Sequence, residues 1–212
     1  MEYIYIEDVK GIFKKISEIM NENKDYLISL DGAMGDGDLG ITMSEGFGAI
    51  VEEMDNFKEE DIGNFIAKMG MTMANAAPST LGTLLATAMM KGGRAIKGKS
   101  KLKLDDMVCF GEIAIDGMKA IGKAEIGDKT ILDSLWPGIE NLKENEDKDI
   151  TIVKAYKEAY EAAEEGALNT KHMISKHGRA AYYGEDSIGK QDPGATAGAL
   201  IFKGIYLYFE ER

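Results

Sequence analysis

The chain has 212 residues, and its 37 acidic residues outnumber 25 lysines and arginines, giving a net charge of −12. Such an acidic protein repels phosphate backbones and anionic lipid, which argues against nucleic acid or a membrane as partner. No apolar run reaches the roughly 18 residues of a membrane helix, and the N-terminus lacks the basic and apolar regions of a signal peptide. We therefore expect a cytoplasmic protein, with residues 1–212 forming a single domain.

Helix dominates the predicted elements, because prolines are few and alanine, methionine and glutamate are abundant. Two short apolar runs, Tyr3–Ile6 and Tyr26–Leu30, could be strands, although no alternating series or hairpin signal accompanies them. Apolar residues at spacings of three and four, preceded by two aspartates, predict a helix over residues 105–121. In chain order, helices are predicted at 7–24, 40–55, 59–76, 80–93, 105–121, 131–143, 152–166 and 194–210, with a short one in the low 170s.

The remaining features fit one all-α domain with glycine-rich loops at helix ends. The polar stretch from Lys143 to Asp149 is interpreted as a solvated turn. The single cysteine, Cys109, excludes an internal disulfide and therefore implies no oxidising compartment. Its apolar neighbours favour a buried structural thiol over a nucleophile.

The stretch DGAMGDGDLG, residues 31–40, allows two interpretations. Gly35, Gly37 and Gly40 spell G-x-G-x-x-G, the pattern of a dinucleotide-binding turn. That turn needs a strand–turn–helix unit in a parallel sheet, which the chain does not offer, and its aspartates would repel a pyrophosphate. A hard cation is the better ligand for three aspartates in eight residues, and carboxylates alone favour Mg²⁺, Ca²⁺ or Mn²⁺ over zinc. The positions do not fit an EF-hand, and aspartates that only cap helix ends remain the structural alternative.

A second phosphate-loop pattern occurs at residues 93–100, where GRAIKGKS matches G-x-x-x-x-G-K-S. That loop requires a buried strand before it and a helix that opens at the Lys-Ser pair. The preceding TLLATAMMKGG instead indicates a helix that ends in glycines. We interpret the segment as a basic loop between helices.

Three motifs together resemble the ADP-binding L subunit (DhaL) of dihydroxyacetone kinase, also called glycerone kinase. They are the aspartate loop, GDKTILDSLWP at residues 127–137, and GRAAYYGEDSIGKQDPGATAGAL at residues 178–200. The order and spacing match over nearly the whole chain. The resemblance implies an antiparallel up-down barrel of about eight helices with a nucleotide site in the loops at one end.

The resemblance also implies the site residues. Asp31, Asp36 and Asp38 would hold two Mg²⁺ ions that bridge to the phosphates of ADP or ATP, with no catalytic residue separate from this metal site. The nucleotide itself would contact Leu39, Gly40, Ile41, Thr42, Ser79, Thr80, Gly122, Thr130, Ile131, Arg179, Asp192, Pro193 and Gly194. Considered without the resemblance, Asp192 followed by Pro193 predicts a helix N-terminus, and Arg179 could be an ordinary surface ion pair.

The implied activity is phosphoryl transfer to dihydroxyacetone or a related small ketose. In this family a separate K subunit holds the ketose on a histidine, and the L subunit is inactive without it. The donor is a phosphohistidine carrier (an M subunit) that recharges bound ADP in one branch, and free ATP in the other.

The chain departs from the family at three places. Leu39 and Thr42 replace the usual histidine and asparagine, and the usual alanine-serine-glycine-proline turn is here APSTLG. These losses keep open a divergent paralogue that acts as a nucleotide- or metal-binding regulatory module. His172 and His177 are expected to be surface or packing residues.

Overall fold

A computed structural model of the chain describes residues 3–58, 60–146 and 148–212. Within these residues there are nine α-helices, a two-stranded antiparallel ribbon and three short 3₁₀ helices. The strands are β1 (Ile4–Tyr5) and β2 (Lys101–Leu102), and the 3₁₀ helices are Met54–Asn56, Thr170–His172 and Arg179–Ser187. The α-helices are α1 (Ile6–Glu22), α2 (Lys24–Gly32), α3 (Leu39–Glu53), α4 (Ile62–Ala76), α5 (Thr80–Ala95), α6 (Leu104–Gly122), α7 (Leu132–Glu144), α8 (Ile152–Asn169) and α9 (Pro193–Glu211).

Eight of these helices close into a barrel. Going round it, α1 packs on α3, then α4, α5, α6, α7, α8 and α9 follow, and α9 packs back on α1. The short α2 lies against α3 and α9 outside this ring. Neighbours run antiparallel, as where Tyr208 near the end of α9 contacts Gly11 near the start of α1. The predicted antiparallel up-down barrel of about eight helices is confirmed.

Polar side chains at the helix starts explain where several helices begin. The side chains of Asp61, Ser79, Thr151 and Asp192 each accept a hydrogen bond from a backbone N–H three residues further along. Such N-caps satisfy donors that have no partner inside the helix. Pro193 in the first turn of α9 needs no N–H there, as the sequence predicted.

Small residues bring α4 and α5 close together. A Cβ added to Gly63 would lie 2.4 Å from the Gly93 carbonyl oxygen and 2.8 Å from backbone atoms of Ile96 and Lys97. The glycines therefore allow backbone-to-backbone packing at this crossing. A larger side chain would force the two helices apart.

One of the two short apolar runs is helical. Tyr26–Leu30, which could have been a strand, lies inside α2, where only Leu27 is buried. A helix satisfies its backbone hydrogen bonds locally, whereas a strand here would need a partner edge. The other run does contain a strand, since β1 at Ile4–Tyr5 pairs with β2. The short helix predicted in the low 170s is also present, at Thr170–His172.

The buried-thiol prediction for Cys109 is wrong, because the thiol is exposed. The face of α6 that enters the core contains Val108, Gly111, Ile115 and Met118. Cys109 is turned roughly 100° from Val108 around a helix of 3.6 residues per turn, which places it outside that face. The packing of Gly111 against Ile139 of α7 fixes this rotation.

The polar stretch from Lys143 to Asp149 is also more ordered than a solvated turn. Its first two residues complete α7, and Asn145 is buried, donating hydrogen bonds to Asn141 and Glu158. Residue 147 lies outside the described residues, as do residues 1 and 2 at the N-terminus and residue 59, the start of one predicted helix. No helix among the described residues is long and apolar enough to cross a membrane.

The α4–α5 crossing gives a stability prediction. Gly63→Ala should lower the free energy of unfolding by about 1–3 kcal/mol, because the added methyl meets backbone that cannot move independently. Gly48→Ala in α3 is the control, since nothing lies within 4 Å of its added Cβ, and it should raise that free energy by about 0.5–1 kcal/mol. Urea unfolding of both variants measures the difference. Equal effects would contradict the close crossing.

Candidate functional site

One end of the barrel opens into a cleft of about 1030 Å³. The helices α3, α5, α7 and α9 begin here, so four helix N-termini with their partial positive charges face the same space. This partial positive charge favours an anionic ligand. The lining residues are Asp31, Met34, Gly35, Asp36, Asp38, Leu39, Thr42, Ala74, Pro78, Ser79, Thr80, Leu81, Thr83, Leu84, Ile121, Gly122, Lys129, Thr130, Ile131, His177, Gly178, Arg179, Ala180, Asp192, Pro193 and Gly194.

Three carboxylates meet at the mouth of this cleft. Asp31 lies in the last turn of α2, Asp38 directly precedes α3, and Asp36 lies in the loop between the two helices. One carboxylate oxygen from each lies within 4.8 Å of the other two. We call these three residues the aspartate cage.

The loop backbone builds the cage. The backbone N–H groups of Asp38 and Leu39 donate to Asp31 Oδ2 at 3.0 and 3.3 Å, which folds the loop back over that carboxylate. Gly37 has a φ of +75°, a conformation that favours glycine. A Cβ on Gly35 would lie 2.2 Å from Asp31 Oδ1, so this position requires a residue without one. The glycines therefore serve the carboxylates and do not form a dinucleotide turn.

The electrostatics of the cage favour a bound cation. Desolvation raises the pKa of Asp38, and the nearby charges of Asp36 and Asp31 raise it further. Arg179 relieves part of this repulsion through an ion pair of 2.7 Å between its Nη2 and Asp36 Oδ2. All three donors are carboxylate oxygens, the donor set that suits Mg²⁺, Mn²⁺ or Ca²⁺. The residues present thus fit a hard divalent cation.

Most of the predicted nucleotide residues line this cleft, although they come from distant parts of the chain. Two do not. Gly40 faces α2, where an added Cβ would lie 2.2 Å from the Lys24 carbonyl oxygen, and Ile41 is exposed outside the cleft. The predicted residues that do line it are Leu39, Thr42, Ser79, Thr80, Gly122, Thr130, Ile131, Arg179, Asp192, Pro193 and Gly194.

The cleft has an apolar side that goes beyond the predicted nucleotide residues. It contains Ala74 of α4, Leu81 and Leu84 of α5, and Met34 and Pro78 from the connections before α3 and α5. The apolar periodicity of α4 and α5 predicts core positions for Ala74 and Leu84, so no local signal separates these two from the barrel interior. A flat apolar ligand surface can pack here while an anionic group reaches the cage.

Two polar residues of the cleft were also missed. His177, expected on the surface or in packing, lies in the cleft with its Nε2 at 3.1 Å from Asp128 Oδ2. Lys129 is only 2% exposed and lies beside it in the lining. The sequence did offer one signal for both residues. Lys129 directly precedes the predicted site residue Thr130, and His177 lies two residues before Arg179.

Asp128, the residue before Lys129, binds side chains of the segment that contains His177. Ion pairing with Lys176 lowers the pKa of Asp128 to about 2, with further help from the Glu125 backbone N–H and from His177. The carboxylate of Asp133, in the first turn of α7, accepts hydrogen bonds from the backbone N–H groups of Gly127 and Thr130 at 2.5 and 2.7 Å. Asp128 and Thr130 therefore stand in a rigid turn that leads into α7.

The GRAIKGKS segment is not a phosphate loop. Its first three residues complete the helix α5, so a helix and not a strand leads into it, and it lies at the end of α5 opposite to the cleft. Lys99 pairs with Asp106 of α6, and the Gly98 backbone N–H donates to Asp61 Oδ2 at 2.9 Å. The segment is a basic inter-helix loop, as the sequence indicated.

Comparison with known proteins shows the family of the chain. Residues 33–207 match the DAK2 domain. The chain is 32% identical over 197 residues, covering 93% of the chain and 94% of the relative, to the PEP-dependent dihydroxyacetone kinase, ADP-binding subunit DhaL, of Escherichia coli. A similar subunit of PEP-dependent dihydroxyacetone kinase 2 from Listeria innocua is 32% identical, covering 92% of the chain and 90% of that subunit. The chain therefore belongs to the DAK2-domain family of DhaL subunits.

A solved structure shares the fold. The dihydroxyacetone kinase from C. freundii in complex with AMP-PNP and Mg²⁺ aligns over 98% of this chain with a TM-score of 0.75 and 21% identity. The present chain spans only 35% of that kinase chain. The likeness supports the fold of the barrel, while the activity of the longer kinase belongs to that protein.

Asp192 gives a pH prediction. Burial raises its pKa to about 7, against about 3.9 in an unfolded chain. The folded state therefore binds the extra proton between pH 4 and 7, so this contribution is full below pH 4 and is lost as the pH rises to 7. Asp192→Asn keeps an oxygen for the Ala195 N–H but cannot ionise. Relative to wild type, its free energy of unfolding should rise by on the order of 4 kcal/mol between pH 4 and 8. Identical pH profiles of the two proteins would contradict a buried, proton-binding Asp192.

Proposed function

We propose that this chain is the nucleotide-binding phosphotransferase subunit of a dihydroxyacetone kinase. In this proposal it holds ADP or ATP in the barrel-end cleft and delivers a phosphoryl group to dihydroxyacetone, or a related small ketose, held by a separate K subunit. Residues 1–212 act as one domain in this role. The observation that carries the proposal is the aspartate cage at the mouth of a cleft ringed by helix N-termini.

In this proposal the cage binds the metal, and the helix N-termini of the cleft bind the phosphates. Bound Mg²⁺ supplies charge neutralisation between the three carboxylates and the nucleotide phosphates. Asp31, Asp36 and Asp38 would hold two such ions, as the family resemblance implies. The N-termini of α3 and α5 add backbone donors toward the phosphates. Phosphoryl transfer depends chiefly on positioning and charge neutralisation, so a rigid helical frame is sufficient on this side of the reaction.

The base and sugar occupy the remaining cleft. The apolar side formed by Pro78, Leu81 and Leu84 would pack against the adenine. Gly122 extends this side, because a Cβ added to it would lie 3.3 Å from Leu84, and Ile131 lines the same cleft. Arg179 lies over the cage, where it can exchange Asp36 for a phosphate oxygen. Asp192, Pro193 and Gly194 close the far wall.

Several observations support a partner of the K type. Both bacterial relatives are named as ADP-binding subunits of dihydroxyacetone kinases. Both relatives are also named PEP-dependent, which favours recharging of bound ADP by a phosphohistidine carrier (an M subunit) over exchange with free ATP.

A regulatory module is the second candidate function. Leu39 and Thr42 line the cleft beside the cage, where the family resemblance places histidine and asparagine. A cleft with fewer polar groups near the phosphates could bind nucleotide without transferring a phosphoryl group. Reconstitution with a K-type subunit separates the two functions.

The cage predicts coupled binding of metal and nucleotide. At a hundred times its dissociation constant, Mg²⁺ with ADP should add roughly 2.7 kcal/mol to the free energy of unfolding, which a thermal-shift titration detects. Asp36→Asn and Asp38→Asn should lose this shift, because each removes a carboxylate ligand. Lys99→Ala is the control and should keep it, since Lys99 lies at the opposite end of α5. Loss of the shift in Lys99→Ala with retention in Asp36→Asn would support a P-loop and contradict the cage.

The partner requirement gives a further prediction. The chain alone should not phosphorylate dihydroxyacetone with any donor, because the substrate pocket belongs to the other subunit. Adding a purified K-type subunit, with ATP or with a phosphohistidine carrier system, should start turnover, measured as dihydroxyacetone phosphate formed. Persistent inactivity across small ketoses and both donors, with nucleotide binding intact, would replace the kinase proposal by the regulatory one.

A further inference from the structure

Residues 173–190, here called the arginine loop, carry Arg179 to the aspartate cage. The loop connects the Thr170–His172 turn to the start of α9, and it contains left-handed glycines at 178, 184 and 189. Its contact with the cage is the ion pair from Arg179 to Asp36. A segment rich in turns and 3₁₀ helix needs fixed points if Arg179 is to stay over the cage.

Lys129 provides one such fixed point for the arginine loop. Its Nζ donates hydrogen bonds to the backbone carbonyl oxygens of Ser187 at 2.5 Å, Lys190 at 2.7 Å and Met173 at 3.3 Å. These acceptors lie at both ends of the arginine loop. An ammonium group has three N–H donors. Here they serve three carbonyl oxygens that lie outside the α-helices.

The chain sustains unfavourable features to place this ammonium group. Lys129 is 2% exposed, and burial lowers its pKa. Its backbone has a φ of +63°, a left-handed conformation that side chains other than glycine rarely adopt. Strained backbone of this kind concentrates at functional sites. At an ordinary turn, glycine would adopt this backbone conformation without strain and would bury no charge.

The preceding residue holds the middle of the loop. Asp128 Oδ1 accepts a hydrogen bond from Lys176 Nζ at 2.6 Å, and its Oδ2 lies 3.1 Å from His177 Nε2. The Lys176 backbone N–H also donates to the Asp128 carbonyl oxygen at 3.2 Å. Two consecutive residues therefore fix the loop on both sides of Arg179.

We propose that Asp128 and Lys129 form a clamp that positions Arg179 over the aspartate cage. In this clamp Lys129 is a positioning residue, because its ammonium group binds the loop carbonyls. The proposal rests on the proposed function, since it assigns a role in the same cleft. Without the clamp, Arg179 spends much of its time away from the cage, and the cleft loses one cationic wall.

Hydrogen–deuterium exchange tests the clamp without any ligand. Lys129→Met keeps the apolar stem but removes the ammonium group, and residues 173–190 should then exchange at least about tenfold faster while the barrel helices keep wild-type protection. Lys123→Met is the matched control, because Lys123 is also left-handed, with a φ of +52°, but is exposed at the end of α6. Unchanged exchange of the arginine loop in Lys129→Met would overturn the clamp.

A double-mutant cycle tests whether Lys129 acts through Arg179. Arg179→Ala should weaken binding of ADP with Mg²⁺ about tenfold, the loss of one charged contact. Lys129→Met should weaken it by a similar factor, and the double variant should be no weaker than about twofold below either single variant. An effect of Lys129 on binding that is independent of Arg179 predicts additive losses of about a hundredfold, which would overturn the proposal. A purely structural role predicts unchanged affinity in Lys129→Met, which would overturn it too, as would unchanged affinity in Arg179→Ala.

The outcomes separate this inference from the proposed function. If the wild-type chain binds no ADP with Mg²⁺, the proposed function fails, and the exchange experiment still decides whether the clamp exists. If Lys129→Met does not fold, Asp128→Asn replaces it in both experiments, because Asp128 holds the same loop at Lys176 and His177. Additive losses or unchanged loop exchange in that variant would equally overturn the clamp.

Discussion

The organisation of the cleft depends on the repulsion among Asp31, Asp36 and Asp38. Charged oxygens 4.8 Å apart repel by roughly 3 kcal/mol per pair at an effective dielectric of 20. Backbone N–H groups directed at Asp31 and the ion pair from Arg179 to Asp36 offset part of this energy. In the proposed function a bound divalent cation would offset the rest of this repulsion.

The barrel places positive helix ends next to these carboxylates. Antiparallel closure places alternate helix starts at one end, and the cage lies where the positive ends of α3 and α5 can act together with bound cations on a phosphate group. The acidic surface of the whole chain would otherwise repel a nucleotide. In the proposed function the local field of helix ends, Arg179 and bound metal would override the net charge of −12.

The sequence predicts the parts of this site whose signals are local. The spacing of the three aspartates indicated a cation site, and Asp192 before Pro193 predicted the start of α9, because both patterns act within a few residues. The barrel order and the nucleotide residues came from the family resemblance. The binding roles assigned to those residues remain predictions, although most of them line one cleft.

What the sequence did not predict depends on contacts between distant segments. Lys129 meets carbonyls 44 to 61 residues away, so no window of the sequence shows that its ammonium group is buried. Cys109 was misassigned because apolar neighbours on a helix do not reveal which face enters the core until α7 packs against Gly111. Tyr26–Leu30 was ambiguous because a short apolar run fits a strand or a helix.

The most direct test of the account is the coupling between metal and nucleotide. Calorimetric titration of ADP into the wild-type chain, in saturating Mg²⁺ and again in a chelator, measures it. The account predicts that ADP binds at least about a hundredfold more weakly without metal, because the cage then faces the phosphates with uncompensated charge. Equal affinity under the two conditions would contradict the claim that the three aspartates hold the nucleotide through cations.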